Sequence, residues 1–217
     1  MTDIILVDDH PLLRKGLART IESEVDLNVV AQMGSAEEVL EEIEDLDPDL
    51  AIVDISLPGM SGLELIKHLQ SRSPDMATLV VSRHDETLYA ERCLRAGAKG
   101  YVMKQEAGDV IVEAIRRVLD GRIFVSDEIN ERLLQQMAEG GQERLMQSPL
   151  EVLSDRELEV FELTGKGATT REIAERLHLS VKTIESYRAR IKDKLNLSSA
   201  NEFMQHAVQW VESEDAL

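Results

Sequence analysis

The chain has 217 residues, of which 43% are hydrophobic and 30% charged, and its formal net charge at pH 7 is −18. This length is sufficient for two small domains, each with its own core. No apolar run reaches the roughly 18 residues that a membrane-spanning helix needs, and the single cysteine, Cys93, excludes an intrachain disulfide and a thiolate zinc cluster. Because the first ten residues lack the positive charge of a signal peptide, we expect a cytoplasmic protein that does not bind membranes.

The negative charge is unevenly distributed along the chain. Residues 1–120 carry 24 acidic and 12 basic side chains, whereas residues 182–194 carry five basic and two acidic ones. Proteins that bind nucleic acid neutralise phosphates with lysine and arginine. The short basic stretch is therefore a candidate DNA contact within an otherwise acidic chain.

Residues 1–120 alternate short apolar runs with amphipathic stretches, a pattern typical of parallel strands joined by crossover helices. The predicted strands are Ile4–Val7, Leu27–Ala31, Leu50–Val53, Thr78–Val81 and Gly100–Met103. Ser35 followed by Glu38 indicates a capping box at the start of the second of five helices. We predict an α/β domain over residues 1–120 with a doubly wound, five-stranded parallel sheet.

Residues 121–150 are predicted to form a partly helical linker. A helical stretch lies near Glu128–Ala138, and turn signals follow at Gly140-Gly141 and Ser148-Pro149.

Residues 151–213 keep helical spacing and lose the strand signal, which predicts a small all-α domain of four helices. Two capping boxes, Ser154 with Glu157 and Thr169 with Glu172, mark the first two helix starts, and Ser180 can cap the third helix. An apolar pattern predicts the last helix near Ala200–Val211.

Three carboxylates follow strands of the predicted sheet: Asp8 and Asp9 come after the first strand and Asp54 ends the third. The carboxyl ends of neighbouring parallel strands meet at one rim, so these side chains are expected to converge. Converging negative charges repel one another unless a divalent cation joins them, and oxygen ligands in an open site suit Mg²⁺. After the fifth and fourth strands, Lys104 adds a cation for a phosphoryl oxygen and Ser82 adds a hydroxyl.

At this point residues 1–120 resemble the receiver domains of two-component response regulators, which have a flavodoxin-like fold. The matching motifs are ILVDDHPLLRKGL, LAIVDISLPGMSGLEL, VVS at Val80–Ser82 and GAKGYVMK at Gly97–Lys104. The resemblance implies that Asp54 accepts a phosphoryl group from a sensor histidine kinase. It also implies that Asp9, Asp54 and the Ser56 carbonyl bind Mg²⁺, and that Asp8 acts through a coordinated water.

The same resemblance implies that Lys104 holds the phosphoryl group and that Ser82 and Tyr101 form a switch pair. On phosphorylation the hydroxyl would turn toward the phosphoryl group and the ring would move inward, a charge-triggered change in a bistable element. Tyr101 also fits a half-buried strand aromatic. Arg83 departs from the small residue that the family often has there, which leaves the dephosphorylation rate open, and His84 is interpreted as an exposed loop residue.

Residues 170–195, TREIAERLHLSVKTIESYRARIKDKL, have the spacing of a helix-turn-helix. The second helix is predicted to present five side chains to the DNA major groove: Lys182, Glu185, Ser186, Ala189 and Arg190. Two interpretations of Glu185 stay open, since it either accepts a hydrogen bond from cytosine N4 or lies off the bases and disfavours wrong sequences.

The wider segment LSDRELEVFELTGKGATTREIAERLHLSVKTIESYRARIKDKLNL resembles the four-helix DNA-binding domain of the LuxR type, and the whole chain resembles the NarL/FixJ class of regulators. The resemblance implies that Thr183, Arg188 and Lys192 lie near the DNA backbone and that the last helix forms a dimer. Candidate dimerisation residues are Phe203, Ala207 and Trp210. Simple core packing of these three residues is the alternative.

These patterns predict a DNA-binding transcriptional response regulator rather than an enzyme, although slow self-dephosphorylation is expected. Phosphorylation of Asp54 would favour a homodimer that binds two half-sites of double-stranded DNA. One alternative is a phosphorylation-independent transcription factor whose receiver senses a protein partner. An aspartyl-phosphate hydrolase is another, which the recognition helix disfavours.

Overall fold

The computed structural model of the chain describes residues 1–138 and 152–214. The chain divides into two compact units, Met1–Ala138 and Glu139–Leu217. Residues 139–151, which include both turn signals of the predicted linker, lie outside the described residues, and the domain limits at 120 and 150 stay a prediction. In the described part of the chain, no helix is both long and apolar enough to cross a membrane.

The first unit contains the predicted parallel sheet, with strand order β2-β1-β3-β4-β5. The strands are β1 (Thr2–Val7), β2 (Leu27–Met33), β3 (Leu50–Val53), β4 (Ala77–Ser82) and β5 (Gly100–Met103). β3 and β5 have the predicted bounds, and the other three strands extend one or two residues further. The α/β prediction is therefore confirmed.

Both faces of the sheet are buried, as expected for a doubly wound fold. The helices that follow the strands are α1 (Pro11–Ile21), α2 (Ala36–Leu46), α3 (Gly62–Arg72), α4 (Glu86–Ala96) and α5 (Ala107–Leu119). Ile4, Leu6 and Ile52 belong to one core cluster with residues of α1 and α5. Ile5 and Val53 point to the opposite face by strand alternation and are also buried.

Side-chain caps fix where several helices begin. The Ser35 hydroxyl accepts a hydrogen bond from the Glu38 amide, as predicted. The Glu38 carboxylate accepts from the Gly34 amide rather than from the Ser35 amide, so the predicted capping box is only half formed. A complete capping box that the sequence interpretation missed joins Ser61 and Glu64 at α3.

Residues beyond α5 continue the first unit by adding to the edge of the sheet. Phe124 forms a parallel bridge with Gly100. The Phe124 amide donates to the Lys99 carbonyl at 3.0 Å, and the Phe124 carbonyl accepts from the Tyr101 amide at 2.8 Å. A Cβ at Gly100 would lie 2.8 Å from the Phe124 carbonyl oxygen, so this close approach requires glycine.

The helix predicted near residues 128–138 is α6 (Asp127–Ala138), and it packs against α4. Ile129 of α6 is buried, and Arg132 donates to the Thr87 carbonyl at 3.1 Å. The start of the predicted linker is thus attached to the first unit at two places, the edge of β5 and the beginning of α4.

The second unit has the four predicted helices, α7 (Asp155–Gly165), α8 (Thr170–Arg176), α9 (Val181–Lys194) and α10 (Ala200–Glu214). Both predicted capping boxes are complete, and the Ser180 hydroxyl accepts from the Thr183 amide. Gly165 allows α10 to approach α7, because a Cβ there would overlap the Ala207 carbonyl oxygen.

The carboxyl group of Glu86 lies at the start of α4, near α6. Burial raises its pKa above the ordinary value of 4.5, and the charges of Glu106, Glu128 and Asp85 act in the same direction, while a hydrogen bond with the Ser126 side chain opposes them. The folded chain therefore holds this proton more tightly than the unfolded chain. Ionisation of Glu86 therefore lowers the free energy of unfolding as the pH rises above 4.5.

We expect Glu86→Gln to increase the free energy of unfolding at pH 7 and to have little effect below about pH 4, where the carboxyl group is protonated in both states. Urea unfolding followed by circular dichroism measures both differences. Asp75→Asn, at an exposed carboxylate of the same unit, is the matched control. A Glu86→Gln gain of equal size at both pH values would contradict the expectation.

Candidate functional site

The predicted carboxylates converge at the carboxyl end of the sheet. Val7 of β1 stands opposite Val53 of β3, so the next residues, Asp8 and Asp54, lie side by side. The Asp54 amide donates to the Val7 carbonyl at 2.8 Å, which continues the strand pairing to the pocket itself. Asp8 is 5% and Asp54 3% exposed.

The loop after Asp54 folds back closely on it. The Gly62 amide donates to the Ile55 carbonyl at 2.8 Å, and a Cβ at Gly62 would overlap the carbonyl oxygen of Asp54. Glycine is required at this position, where α3 begins. The loop and the strand together fix the backbone of Asp54.

Lys104 connects the two buried carboxylates. Its Nζ lies 2.7 Å from Asp54 Oδ2 and 2.7 Å from Asp8 Oδ2, and its backbone amide donates to the Ser82 carbonyl at 2.7 Å. Burial raises the pKa of Asp54 above its ordinary value; the positive charge of Lys104 opposes this, and the negative charge of Asp8 adds to it. One ammonium group thus serves two carboxylates, and negative charge remains in the pocket.

The same pocket has the donor atoms for a divalent cation. One atom from each of Asp8, Asp9, His10 and Asp54 can be chosen so that all lie within 4.8 Å of one another. Carboxylate oxygens are the ligands that Mg²⁺ prefers, and the excess negative charge favours a cation, so the residues present fit Mg²⁺. His10 was not predicted; its Nδ1 lies 2.5 Å from Asp9 Oδ1, and its position directly after Asp8-Asp9 was the available signal.

The two predicted switch residues lie beside this pocket and are joined through His84. Ser82 is 0% and Tyr101 1% exposed. The Tyr101 hydroxyl donates to the His84 carbonyl at 2.7 Å, and the His84 amide donates to Ser82 Oγ at 3.3 Å. Tyr101 is thus more deeply buried than the half-buried strand aromatic of the alternative interpretation, and its role in a switch stays a prediction.

His84 lies in the loop after β4, as interpreted, but the interpretation that it is exposed is wrong. The residue is half-buried, its ring centroid lies 4.5 Å from that of Tyr89, and its Nε2 lies 2.7 Å from Ser56 Oγ. Ser56, predicted to offer its carbonyl to the metal, is therefore held to the loop after β4. Arg83 in that loop is exposed.

In the second unit, α8 and α9 form the predicted pair of helices, with His178 in the turn at a positive φ of 53°. Ile184 and Ile191 of α9 are buried. The five side chains predicted to face the major groove are all exposed: Lys182, Glu185, Ser186, Ala189 and Arg190. Thr183 and Lys192, predicted near the DNA backbone, are half-buried.

Arg188, also predicted near the DNA backbone, has its guanidinium group among other helices of the unit. It donates to Thr170 Oγ1 at 2.5 Å and to Thr164 Oγ1 at 3.4 Å. No feature of the sequence indicates these contacts, because an arginine in a basic stretch is more typical of a phosphate ligand.

The proposed dimerisation residues of α10 contact the interior of their own unit. Phe203 is 3% and Ala207 0% exposed, and the Phe161 ring centroid lies 5.6 Å from those of Phe203 and Trp210. Trp210 is half-buried. For Phe203 and Ala207 this geometry favours core packing over a dimer surface.

Two family models match the chain in the regions of these two sites. The model of the response regulator receiver domain matches residues 4–116, and the model of bacterial regulatory proteins of the luxR family matches residues 151–207. The chain belongs to the NarL/FixJ class of response regulators. It is a two-component response regulator with a LuxR-type DNA-binding domain, consistent with a role in transcription regulation.

Relatives align with nearly the whole response regulator. The transcriptional activator protein ExaE of Pseudomonas putida is 38% identical over 208 residues, with 95% of each chain covered. RcsB from Salmonella enterica serovar Typhimurium, solved bound to promoter rprA in the presence of phosphomimetic BeF3−, has a TM-score of 0.61 at 26% identity, covering 95% of this chain and 98% of that one. A structure of two RcsB dimers bound to two parallel DNAs has a TM-score of 0.58 at 26% identity, with 94% and 96% covered.

If the acidic pocket binds Mg²⁺, the cation stabilises the folded response regulator. At a free concentration ten times the Kd, binding adds about 1.4 kcal/mol to the free energy of unfolding. We expect Mg²⁺ to raise the Tm of the wild type and of Asp75→Asn, and to have little effect on Asp9→Asn, which lacks a ligand carboxylate. Differential scanning calorimetry tests this, and an equal rise in all three proteins would argue against the site.

Proposed function

We propose that the response regulator accepts a phosphoryl group on Asp54 from a sensor histidine kinase in the cytoplasm, and that the phosphorylated form binds promoter DNA as a homodimer. The observation that supports this most directly is the buried ammonium group of Lys104, 2.7 Å from carboxylate oxygens of both Asp8 and Asp54. Such a group is placed to bind a new negative charge on Asp54.

In the proposed transfer, a carboxylate oxygen of Asp54 attacks the phosphorus of a phosphohistidine. An O–P bond forms on Asp54 while the N–P bond breaks, and the electron pair of that bond leaves with the histidine nitrogen. Lys104 Nζ would then bind a phosphoryl oxygen. Ser82 Oγ, which now accepts from the His84 amide at 3.3 Å, would donate to another.

Asp9, Asp54 and the carbonyl of Ser56 would hold Mg²⁺, and Asp8 would act through a coordinated water. Bound Mg²⁺ supplies positive charge that neutralises the phosphoryl oxygens. The same pocket would permit slow attack by water on the acyl phosphate, so we expect slow self-dephosphorylation rather than turnover as an enzyme.

The contacts of the loop after β4 offer a route from the pocket to α6. The His84 carbonyl accepts a hydrogen bond from the Tyr101 hydroxyl. Further along the chain, the Glu86 side chain is hydrogen-bonded to that of Ser126, just before α6, and the Thr87 carbonyl accepts from Arg132 of α6 at 3.1 Å. If Ser82 turns to a phosphoryl group, it releases the His84 amide and shifts this loop. We propose that the receiver and linker restrain the DNA-binding domain in the unphosphorylated chain, and that the shift loosens α6 and so relieves this restraint.

Hydrogen exchange measured by mass spectrometry tests this route. With Mg²⁺ and BeF3−, which stands in for the phosphoryl group, we expect the amides of residues 127–135 to exchange several-fold faster than without BeF3−. Asp54→Asn should show no change, and Arg132→Ala should show fast exchange without BeF3−. Unchanged or slower exchange of the wild type would contradict the release of α6.

Promoter binding is proposed for the exposed side of α9, with Lys182, Glu185 and Arg190 toward the major groove. Two protomers would occupy two half-sites, as dimers do when a helix-turn-helix protein binds DNA. The DNA-bound RcsB dimers support this proposal. Because Phe203 and Ala207 are buried, we propose the exposed side of α10, which includes Met204, as the contact between protomers.

The decisive experiment is selection of duplexes from a random pool by the purified chain with Mg²⁺, with and without acetyl phosphate. We expect the phosphorylated wild type to enrich a sequence with two half-sites and to bind it at least about 100-fold more tightly than the unphosphorylated protein, since both half-sites are then engaged together. Asp54→Asn should bind equally with and without the donor. Equal binding in all samples would favour the alternative, a phosphorylation-independent transcription factor.

A further inference from the structure

The guanidinium group of Arg188 on α9 reaches the other three helices of the described second unit. Nη1 donates to Thr170 Oγ1 on α8 at 2.5 Å, and Nη2 donates to Thr164 Oγ1 on α7 at 3.4 Å. Its central carbon lies 5.4 Å from the centroid of the Phe203 ring on α10. One side chain thus connects α9 to each of its neighbours.

Arg188 is half-buried, and its surroundings solvate a cation less well than water does. Among the described residues no carboxylate pairs with it, its Nε is buried without a hydrogen-bond partner, and burial lowers its pKa. A hydrophobic side chain of similar volume would avoid this desolvation. Packing alone therefore does not account for an arginine at this position.

Arg188 lies on the inner side of α9. Ile184 and Ile191, four residues before it and three after it, share its side of the helix, and both are 0% exposed. Glu185 and Ala189, predicted to meet DNA, are exposed. The side chain of Arg188 is therefore directed away from the surface that would enter a major groove.

We propose that Arg188 is a positioning residue: it fixes the angle of α9 relative to α8 and so aims Glu185 and Ser186 at base edges. The inference rests on the proposed role of α9 in DNA recognition. A planar guanidinium group can hold two hydroxyl groups in a fixed geometry, whereas a lysine ammonium is a flexible point charge. Contact of Arg188 with a DNA phosphate, which the sequence predicted, is the competing outcome.

The test compares Arg188→Met and Arg188→Lys with Lys182→Met, a control at an exposed basic residue of the same helix. Fluorescence anisotropy measures the affinity of each full-length chain for a duplex enriched from a random pool and for an unselected random duplex. The measurements are made over a range of salt concentrations, at a temperature where circular dichroism shows every variant folded. The two readouts are the ratio of the two affinities and the slope of log affinity against log salt.

For a positioning residue, we expect Arg188→Met to lower the affinity ratio on the order of tenfold and to leave the salt slope unchanged. Arg188→Lys should show the same loss, because the charge is kept but the planar group is not. Lys182→Met should reduce the slope by about 1 and weaken binding to both duplexes. If Arg188→Met reduced the salt slope by about 1 and Arg188→Lys kept the wild-type slope, the proposal would be overturned in favour of a phosphate contact.

Thr170→Val tests the contact from the other side. The double variant combines Arg188→Met with Thr170→Val. If Arg188 acts through the Thr170 hydroxyl, the affinity ratio of the double variant is no lower than that of Arg188→Met alone. The effects of the two substitutions on the free energy of unfolding are then non-additive. Additive effects would also overturn the proposal. If the wild type binds neither duplex, the proposed function fails, and the unfolding free energies still decide whether Arg188 and Thr170 are coupled.

Discussion

The contact of the Lys104 ammonium with two buried carboxylates is the interaction on which the acidic pocket depends. β4 lies between β5 and β3, so at a strand spacing of about 4.8 Å the backbone of Lys104 is roughly 10 Å from that of Asp54. Only a long side chain spans this distance, and β4 ends between them in a small residue, Ser82. This strand order therefore requires both a long side chain at Lys104 and a small one at Ser82.

The pocket holds more negative charge than Lys104 neutralises. This excess makes the pocket sensitive to a bound cation or to a phosphoryl group on Asp54. Buried carboxylates do not favour folding, as the raised pKa of Asp54 shows. The same excess favours a divalent cation, and a phosphoryl group on Asp54 would compete with Asp8 for Lys104. His84 then matters because its backbone joins Ser82 and Tyr101, so in the proposed switch a local change of charge would reach a segment that also contacts α6.

The sequence was most informative where one local pattern decides the structure. The apolar runs Leu50–Val53 and Gly100–Met103 have the predicted bounds, and the carboxylates converge because parallel strands end at one rim. Helical spacing shows which side of a helix is apolar but not which element covers it. For that reason the sequence leaves Phe203 between a dimer surface and the core and predicts Arg188 near DNA, although both contact neighbouring helices. The docking of α6 depends on the close approach of Gly100 to residue 124, which no periodicity reveals.

The charges of the second unit explain why dimerisation would control DNA binding. Of the five basic residues in 182–194, Lys194 is bound to Glu157 at 2.6 Å and Arg188 contacts threonines within the unit. Three remain for phosphates, Lys182, Arg190 and Lys192, in a chain of net charge −18. Since each neutralised phosphate contributes about 0.9 to the salt slope, three such contacts would give one protomer little electrostatic affinity, and a dimer would double them. If α9 is the DNA-binding surface, the acidity of the chain would disfavour a single protomer on DNA, and occupancy would depend on the dimerisation that phosphorylation is proposed to control.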